Sequence, residues 1–242
     1  MKRYIAPIVL SLLLIPSLAS AAISFDTNSA KLTGTGTNTF TPGTGSNAVM
    51  VIWVEGEVGG SDNVTGVTVD THAATQETKL QCAASDFDYG YLYLGGGDGA
   101  SHNIVVSTTG ASPLYHVVSY FGVKQSTTID ATNNSDTSYS IAAAHNSSIT
   151  TIADNSWALI WVSQTGSRTA TITSGGTTRV SLSGSDNLVG DSNAAVHPAG
   201  SNTFTITPGG SGSSNGCSLM MSLAPAPATA SNPFQLWPLS LF

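Results

Sequence analysis

The chain has 242 residues, only 9% of them charged, and 14 acidic residues outnumber seven basic ones to give a net charge of −7. This balance excludes the dense Lys and Arg clusters that bind nucleic acid. It also excludes a cationic amphipathic segment for anionic lipid. Because charge is scarce, Thr, Ser, Asn and Gly must form the surface, and the weak repulsion between copies permits close packing.

The N-terminus predicts a secretory leader over residues 1–21. Lys2 and Arg3 precede an apolar core, Ile8–Leu18, and Ala19-Ser20-Ala21 supplies the small residues of a signal-peptidase site. The core is shorter than the roughly 20 residues that cross a bilayer, so an uncleaved anchor is the weaker alternative. Cleavage leaves five basic residues against 14 acidic ones, a net charge of −9. We expect an extracellular or cell-surface protein without a membrane span, with the periplasm as the alternative location.

Beyond the leader, short runs rich in Val, Ile, Thr, Tyr and Trp alternate with clusters of Gly, Ser, Asn, Asp and Pro, which predicts strands and turns without helices. The predicted strands are, in chain order, Ile23–Asp26, Ala30–Phe40, Asn47–Glu55, Val64–Asp70, Glu77–Ala83, Tyr89–Leu94, Asn103–Thr108, Leu114–Phe121, Ser138–Ala143, Ser156–Ser163, Arg168–Thr173, Thr177–Ser183, Asn202–Thr207 and Cys217–Ala224. This pattern favours one all-β domain over residues 22–224, an antiparallel two-sheet β-sandwich.

Three of the predicted strands contain an apolar run that no polar residue interrupts. Ala48–Val54 and Trp157–Val162 are apolar at every position, and Leu219–Met221 has the same character. An antiparallel strand usually exposes one face to water, so an unbroken apolar run indicates that both faces are covered. Loops of the same chain and a second subunit are the two candidates for this cover.

One strand has the opposite, two-faced character. Tyr89, Tyr91 and Tyr93 alternate with small or aliphatic residues, so their rings share one face of an extended strand. A row of exposed aromatic rings stacks on sugar rings, which makes these three tyrosines the candidate ligand-binding residues. A place in the core is the alternative, because aromatic strand residues usually pack inside.

Cys82 and Cys217 are the only cysteines of the chain. An even number of cysteines in an exported protein favours a disulfide. Two separate buried thiols are the alternative, because each cysteine lies in an apolar strand. A bridge between them would join an interior strand to the last one.

Three aspartates are the candidate calcium ligands, and calcium is the only cofactor that the sequence suggests. Asp86 and Asp88 have the one-three spacing of a calcium loop, and Asp98 in the next Gly-rich turn would add an oxygen. The pattern lacks a bidentate Glu and a third oxygen within the loop. An ordinary acidic turn is therefore the favoured alternative.

The strongest enzymatic pattern is a pair of carboxylates. Glu55 and Glu57 would lie about 7 Å apart on one face of a strand, as the acid and base of a glycosidase do. They follow a core strand and precede glycines, where charges normally emerge into solvent, so we favour a solvated strand end. The histidines have no metal-binding spacing and no Cys-x-x-Cys is present, and we expect no enzymatic activity.

The composition changes again in the last 18 residues. Residues 225–230 read Pro-Ala-Pro-Ala-Thr-Ala, which is typical of an extended spacer, and residues 231–242 form an apolar tail too short to span a membrane. We expect residues 225–242 to be a linker and a tail that docks on a neighbouring molecule as an added strand or plug. A frayed or folded-back terminus is the alternative.

Read in order, several segments resemble a set of uncharacterised β-sandwich, jelly-roll-like domains of secreted bacterial surface proteins and phage structural proteins. The segments are Ile23–Asp26, Gly45–Asn47 before the run that ends at Glu55, Val64–Val69, Tyr91–Leu94, His102–Val106, Val118–Asp130 and Leu219–Pro225. Lys124 and Thr128 depart from the family, in which an acidic residue and Pro are common. The resemblance implies a jelly-roll-like fold and an extracellular setting, and it implies no catalytic residues.

These observations predict a non-enzymatic structural or adhesive protein of a cell surface or virion appendage. Its expected partners are further copies of itself or other surface proteins, and not nucleic acid. A carbohydrate-binding module, supported by calcium, is the alternative, with glycans as partners. A glycoside hydrolase is the remote third interpretation.

Overall fold

The computed structural model describes residues 21–56, 62–82, 86–110, 112–140, 143–164, 169–181, 187–209 and 215–228. These ranges contain strands and no helix, which confirms the all-β prediction. Within them no helical segment has the length and apolarity that crossing a membrane requires. The predicted leader, except Ala21, lies outside the described residues, as do Glu57 and residues 229–242.

The strands of the first half end at the turn near residue 122. They are β1 (Ser24–Asn28), β2 (Leu32–Thr33), β3 (Asn38–Phe40), β4 (Val49–Gly56), β5 (Val64–Val69), β6 (His72–Ala73), β7 (Thr75–Cys82), β8 (Asp86–Leu94), β9 (His102–Thr108) and β10 (Leu114–Phe121). The predicted strand Ala30–Phe40 is divided in two. Gly34 interrupts it with a φ of 82°, a left-handed conformation that glycine adopts without strain.

The second half begins with a long polar strand. Its strands are β11 (Ile129–Ser140), β12 (His145–Thr150), β13 (Trp157–Gln164), β14 (Ala170–Ser174), β15 (Thr177–Ser181), β16 (Leu188–Asp191), β17 (Ser201–Pro208) and β18 (Asn215–Leu223). Most of β11, and all of β12 and β16, were not predicted. β11 and β12 are rich in Asn, Ser and Thr, so they lack the apolar alternation that predicts a strand.

The described strands form four antiparallel sheets instead of the two predicted. Sheet I has the order β3-β9-β5-β6, and sheet II has the order β1-β10-β4-β8-β7, with β2 also paired to β10. Sheet III has the order β11-β18-β13-β16-β15, and sheet IV has the order β12-β17-β14. The extra sheets explain why so many strands lack a polar face.

The four sheets stack in numerical order, with a hydrophobic core between each neighbouring pair. Along β4, Met50, Ile52 and Val54 face sheet I, while Val49, Val51 and Trp53 face sheet III. β13 divides in the same way, with Leu159 and Trp161 toward sheet II and Ile160 toward sheet IV. The cover over the apolar strands is therefore supplied by other sheets of the same chain.

The two halves share most of their strand order. Sheets I and II are built from the first half, and sheet III repeats the order of sheet II, with β11 in the place of β1 and β18 in the place of β10; sheet IV repeats β3-β9-β5 and has no counterpart of β6 among the described strands. The tripeptide Ile-Trp-Val occurs at 52–54 in β4 and at 160–162 in β13. Asn47 and Asn155, five residues before each isoleucine, both have a positive φ, 53° and 65°. The local backbone geometry therefore repeats together with the topology.

The halves pack through sheets II and III in a two-fold arrangement. Trp53 and Trp161 from the equivalent strands β4 and β13 stack at the centre, with ring centroids 6.3 Å apart. On one side β7 packs against β11. On the other side the Arg179 guanidinium of β15 lies 4.1 Å from the Phe25 ring of β1. The strand order of sheet II therefore runs opposite to that of sheet III, so that β7 faces β11 and β1 faces β15.

A covalent link and a buried ion pair reinforce this interface. Cys82 in β7 and Cys217 in β18 form a disulfide with a Cα–Cα distance of 5.7 Å, which confirms the predicted bridge. Arg179 binds Asp191 through its Nε at 2.7 Å and one terminal nitrogen at 2.9 Å, and Tyr120 of sheet II donates to the same carboxylate at 3.0 Å. Asp191 is fully buried, and its negative charge is matched by a cation and a hydroxyl.

Candidate functional site

The predicted aromatic row faces inward over most of its length. Tyr89 and Tyr91 are buried between sheets I and II, and Tyr93 at the end of the row is half-buried. The hydroxyl of Tyr89 donates to Asp62, and that of Tyr91 donates to Gln76 at 3.3 Å. Burial raises the pKa of Tyr91 to about 12. Two of the three predicted rings are therefore held inside the sandwich, which leaves Tyr93 as the partly accessible one.

The structure does not bring the predicted calcium ligands together. Asp88 lies near the start of β8, whereas Asp98 follows the end of that strand, and the intervening strand is roughly 20 Å long. Asp98 instead accepts a hydrogen bond from the Ala100 backbone and contacts His102. The backbone of Asp86 belongs to β8, and its side chain lies outside the described residues.

Asp88 is part of a buried polar cluster at the disulfide. Its Oδ2 accepts a hydrogen bond from Ser163 at 2.5 Å and lies 2.9 Å and 3.0 Å from the sulfurs of Cys82 and Cys217. Cys82, Asp88 and Cys217 are candidate metal ligands by their spacing. Within the described residues they form the one group of three or more His, Cys, Asp or Glu side chains whose ligand atoms are close enough to share a metal ion. The two sulfurs are bonded to each other, so the oxidised cluster offers no pair of thiolates, which are the sulfur ligands that metals bind.

A second polar cluster ties the loop after β8 to the turn after β5. His102 is nearly buried, and its Nδ1 lies 2.5 Å from Asp70 while its Nε2 lies 3.0 Å from Asp98. Burial opposes a charge on the ring, but hydrogen bonds to the two carboxylates outweigh it and raise the pKa of His102. Asp70 also accepts from the Asn103 backbone at 2.7 Å. The cluster therefore links the two loops through ion pairs and a backbone hydrogen bond.

Glu55, the described member of the predicted carboxylate pair, is held by a neighbour. Its Oε2 accepts a hydrogen bond from the amide of buried Asn187 in the second half at 2.7 Å. This bond links the end of β4 to the start of β16. Glu57 lies outside the described residues, so the geometry of the pair stays a prediction.

One pocket opens where the two halves meet, and we call it the seam pocket. Its volume is about 470 Å³, within the range of small-ligand sites. The end of β6, the start of β7 and the end of β8 form one wall, and the connection into β11 forms the other. The lining residues are Ala73, Thr75, Glu77, Leu92, Tyr93, Leu94, Thr127, Thr128 and Ile129.

The lining of the seam pocket is divided almost equally between polar and apolar surface. Leu94 is 43% exposed at its edge, while Leu92 and Ile129 supply further aliphatic surface. Glu77 is the one carboxyl among the lining residues, and burial raises its pKa. Such a mixed lining suits an uncharged group that combines apolar surface with hydrogen-bond donors.

Among the residues of this pocket, only Tyr93 was predicted from the sequence to bind a ligand. Thr127–Ile129 are separated from Leu94 by more than 30 positions and reach it only through the packing of the two halves. The available signal was weak: Leu94 is the last apolar residue before a run of three glycines, at a strand end where a side chain emerges from the core.

Comparison of the chain with protein families, with characterised proteins and with solved structures found no match in any of the three.

Proposed function

We propose that the chain is a secreted, non-enzymatic structural or adhesive protein of a cell surface or virion appendage. The observation that carries this proposal is the interface between sheets II and III. Two domains in one chain usually meet over a modest, polar surface and move relative to each other. Here a continuous core centred on Trp53 and Trp161, together with the Cys82–Cys217 disulfide, makes the two halves one rigid block.

A rigid block is what a structural or adhesive unit requires. It holds its two outer sheets at a fixed spacing, and the disulfide limits separation of the halves under mechanical load. The low charge of the chain adds to this argument, because copies of the block approach each other with little repulsion. The predicted leader and the disulfide both suit an oxidising, extracellular setting.

We further propose that each half is a jelly roll. In the first half, β1-β10-β4-β8 lies opposite β3-β9-β5-β6, the neighbour order of two interleaved four-stranded sheets in a double Greek key. The proposal is supported by the short break between β6 and β7, at which the chain leaves sheet I and joins sheet II. It would account for the family resemblance seen in the sequence.

Carbohydrate binding is the second candidate, and the seam pocket is the observation that favours it. Tyr93 offers one half-buried ring beside threonine hydroxyls and Glu77, groups that recur in sugar recognition. One ring gives much less stacking surface than the three exposed rings expected from the sequence. A glycan array, run with calcium and again with a chelator, tests this candidate directly.

The structural proposal is tested by locating the protein in its source. Antibodies raised against the chain without residues 1–21 are used for fractionation and for immunogold labelling of intact cells or particles. We expect the protein in the surface or appendage fraction, with label on the exterior. Recovery solely as a free, unattached protein, or inside the cell, would contradict the proposal.

A further inference from the structure

The seam pocket holds a carboxyl group that a local irregularity of the sheet directs into its wall. Glu77 lies in β7, and its two neighbours in that strand pair with Tyr91 and Gly90, which are consecutive residues of β8. Glu77 is therefore the extra residue of a β-bulge, and a bulge redirects a side chain. Burial is the one cause of its raised pKa, so no cation or hydrogen-bond donor among the described residues offsets that burial. A bound ligand that donates hydrogen bonds would offset it.

The charge of this carboxyl group restricts the ligand. An ionised carboxylate only accepts hydrogen bonds, and it has two oxygens with which to accept them. Two adjacent hydroxyl groups of one ligand can donate to both oxygens, and bonds to a charged acceptor are stronger than neutral ones. The lining contains no Lys, Arg or His, and the chain has a net charge of −7. An acidic ligand would therefore be repelled.

The remaining polar side chains of the lining are hydroxyls. Thr75, Thr127 and Tyr93 each carry a group that both donates and accepts hydrogen bonds. The hydroxyls of a sugar also do both, whereas an ammonium group only donates, so the lining matches a sugar better than an amine. The Tyr93 ring and the side chains of Leu92 and Leu94 supply apolar surface for the C–H face of a sugar ring.

The opposite wall is fixed in a strained conformation. Thr127 has a φ of 52°, in the left-handed region that β-branched residues avoid. Residues held in such conformations cluster at ligand-binding sites, where the surrounding structure enforces them. Here the connection is tied to Ala224, which accepts a hydrogen bond from the Lys124 backbone at 2.9 Å and donates one to Thr128 at 2.8 Å. The wall is therefore formed before a ligand arrives.

We propose that the seam pocket binds one neutral hexose, with two adjacent hydroxyls on the Glu77 carboxylate and the C–H face of the sugar against Tyr93. The inference rests on the carbohydrate-binding candidate and names its ligand class and the residues that select the ligand. Binding does not need calcium, because Glu77 is the one carboxyl of the lining and calcium takes several oxygen ligands.

Ligand-observed NMR on the chain without residues 1–21 tests the proposal. The probes are D-glucose, D-galactose and D-mannose, each compared with its uronate, in which a carboxylate replaces the terminal CH₂OH group. We expect a neutral hexose to bind about tenfold more tightly than its uronate, with and without a chelator. The same titration shifts the backbone amide signals of Leu94 and Thr127, one from each wall, which locates the ligand without any substitution.

Two substitutions assign the contacts. Glu77→Gln keeps the size of the side chain and removes its charge, so it weakens binding of the hexose about tenfold and narrows the gap between the hexose and its uronate. Tyr93→Leu removes the ring and weakens binding about fivefold. Asp154→Asn is the matched control, because Asp154 is an exposed carboxylate outside the pocket, and it leaves both affinities unchanged. Circular dichroism establishes that the variants are folded, and unfolding would not narrow the gap between the two sugars.

Four results would overturn the inference: no binding of any of the three hexoses, tighter binding of a uronate or of the amine probe Nα-acetyl-lysine amide, loss of binding with the chelator, and binding that survives both Glu77→Gln and Tyr93→Leu. The glycan array separates this failure from that of the candidate function. If the array finds a glycan that both variants bind as the wild type does, carbohydrate binding stands and only this site is wrong. If the array is silent as well, the carbohydrate-binding candidate is also wrong.

Discussion

His116 makes the stability of the fold sensitive to acid. It lies in β10 on the face toward sheet III, fully buried, with its ring 5.9 Å from that of Trp161. Neither ring nitrogen has a hydrogen-bond partner of good geometry within the described residues, and the nearby Ser29 backbone favours the charged ring without offsetting its burial. Burial lowers its pKa to about 4 from an ordinary value of 6.5, and the charge of nearby Lys31 adds to the effect. The folded protein therefore keeps this imidazole neutral.

The size and sign of the effect follow from proton linkage. Between pH 6.5 and pH 4 the unfolded chain binds a proton at His116 that the folded chain does not bind, so acid favours unfolding. The loss from this residue is about 2 kcal/mol between pH 7 and pH 5, and it levels off at roughly 3 kcal/mol below pH 4. Above pH 6.5 the residue has almost no effect on the pH dependence of stability.

Urea unfolding at pH 7 and pH 5 measures this effect when the wild type is compared with His116→Leu. We expect the wild type to lose about 2 kcal/mol more than the variant over this interval, whatever the cost of the substitution itself. His72→Leu, in the exposed strand β6, is the control for replacing a histidine with leucine. Equal pH dependence in the wild type and His116→Leu, or an NMR titration of the His116 ring near pH 6.5, would refute the reasoning.

Three further predictions concern other contacts of the fold. Replacing Cys82 and Cys217 together with Ala should lower the free energy of unfolding by about 5 kcal/mol, because the bridge closes a loop with a sequence separation of 135; a loss below about 1 kcal/mol in urea unfolding would contradict this. Gly90→Ala should lower the free energy of unfolding by about 1–3 kcal/mol, because a Cβ there would lie 2.4 Å from the Met221 methyl and 2.9 Å from the Trp53 ring. Gly66→Ala is the control, because a Cβ at that position meets no atom within 4 Å. Asp98→Asn should lower the pKa of His102 in an NMR titration, because one of its two carboxylate partners is removed, and Asp154→Asn should leave it unchanged. In the wild type, the contacts of His102 with Asp70 and Asp98 should stabilise the fold below pH 6.5, and this contribution should be lost as the pH rises through the raised pKa of His102. A pKa of His102 that does not respond to Asp98→Asn would show that the ion pair is absent in solution.

The local sequence predicted which segments are strands wherever apolar alternation or an unbroken apolar run was present. Besides the short strands β6 and β16, it missed β12 and most of β11, which are rich in Asn, Ser and Thr. These two polar strands are held by pairing with β17 and β18 and by side-chain bonds such as that from Asn133 to the Ser148 carbonyl, at 2.5 Å. Pairing between distant strands is a property of the whole fold and has no local signal.

The same limit applies to the candidate site. Alternation correctly placed Tyr89, Tyr91 and Tyr93 on one face of β8, but it does not say whether that face meets water or another sheet. In the structure sheet I covers the first two rings, and Tyr93 alone reaches the seam pocket. The other wall of that pocket comes from Thr127–Ile129, which only the packing of the second half brings near.

By itself the sequence determined the all-β class and the need to cover both faces of β4 and β13, and it favoured a bridge between Cys82 and Cys217 over two separate thiols. Tertiary structure alone decided that four sheets supply that cover, that the halves meet about Trp53 and Trp161, and that a pocket opens at their seam. The physical reason is that side-chain pattern fixes which way a residue points along a strand. What it points at depends on hydrogen bonds and contacts between residues far apart in the chain.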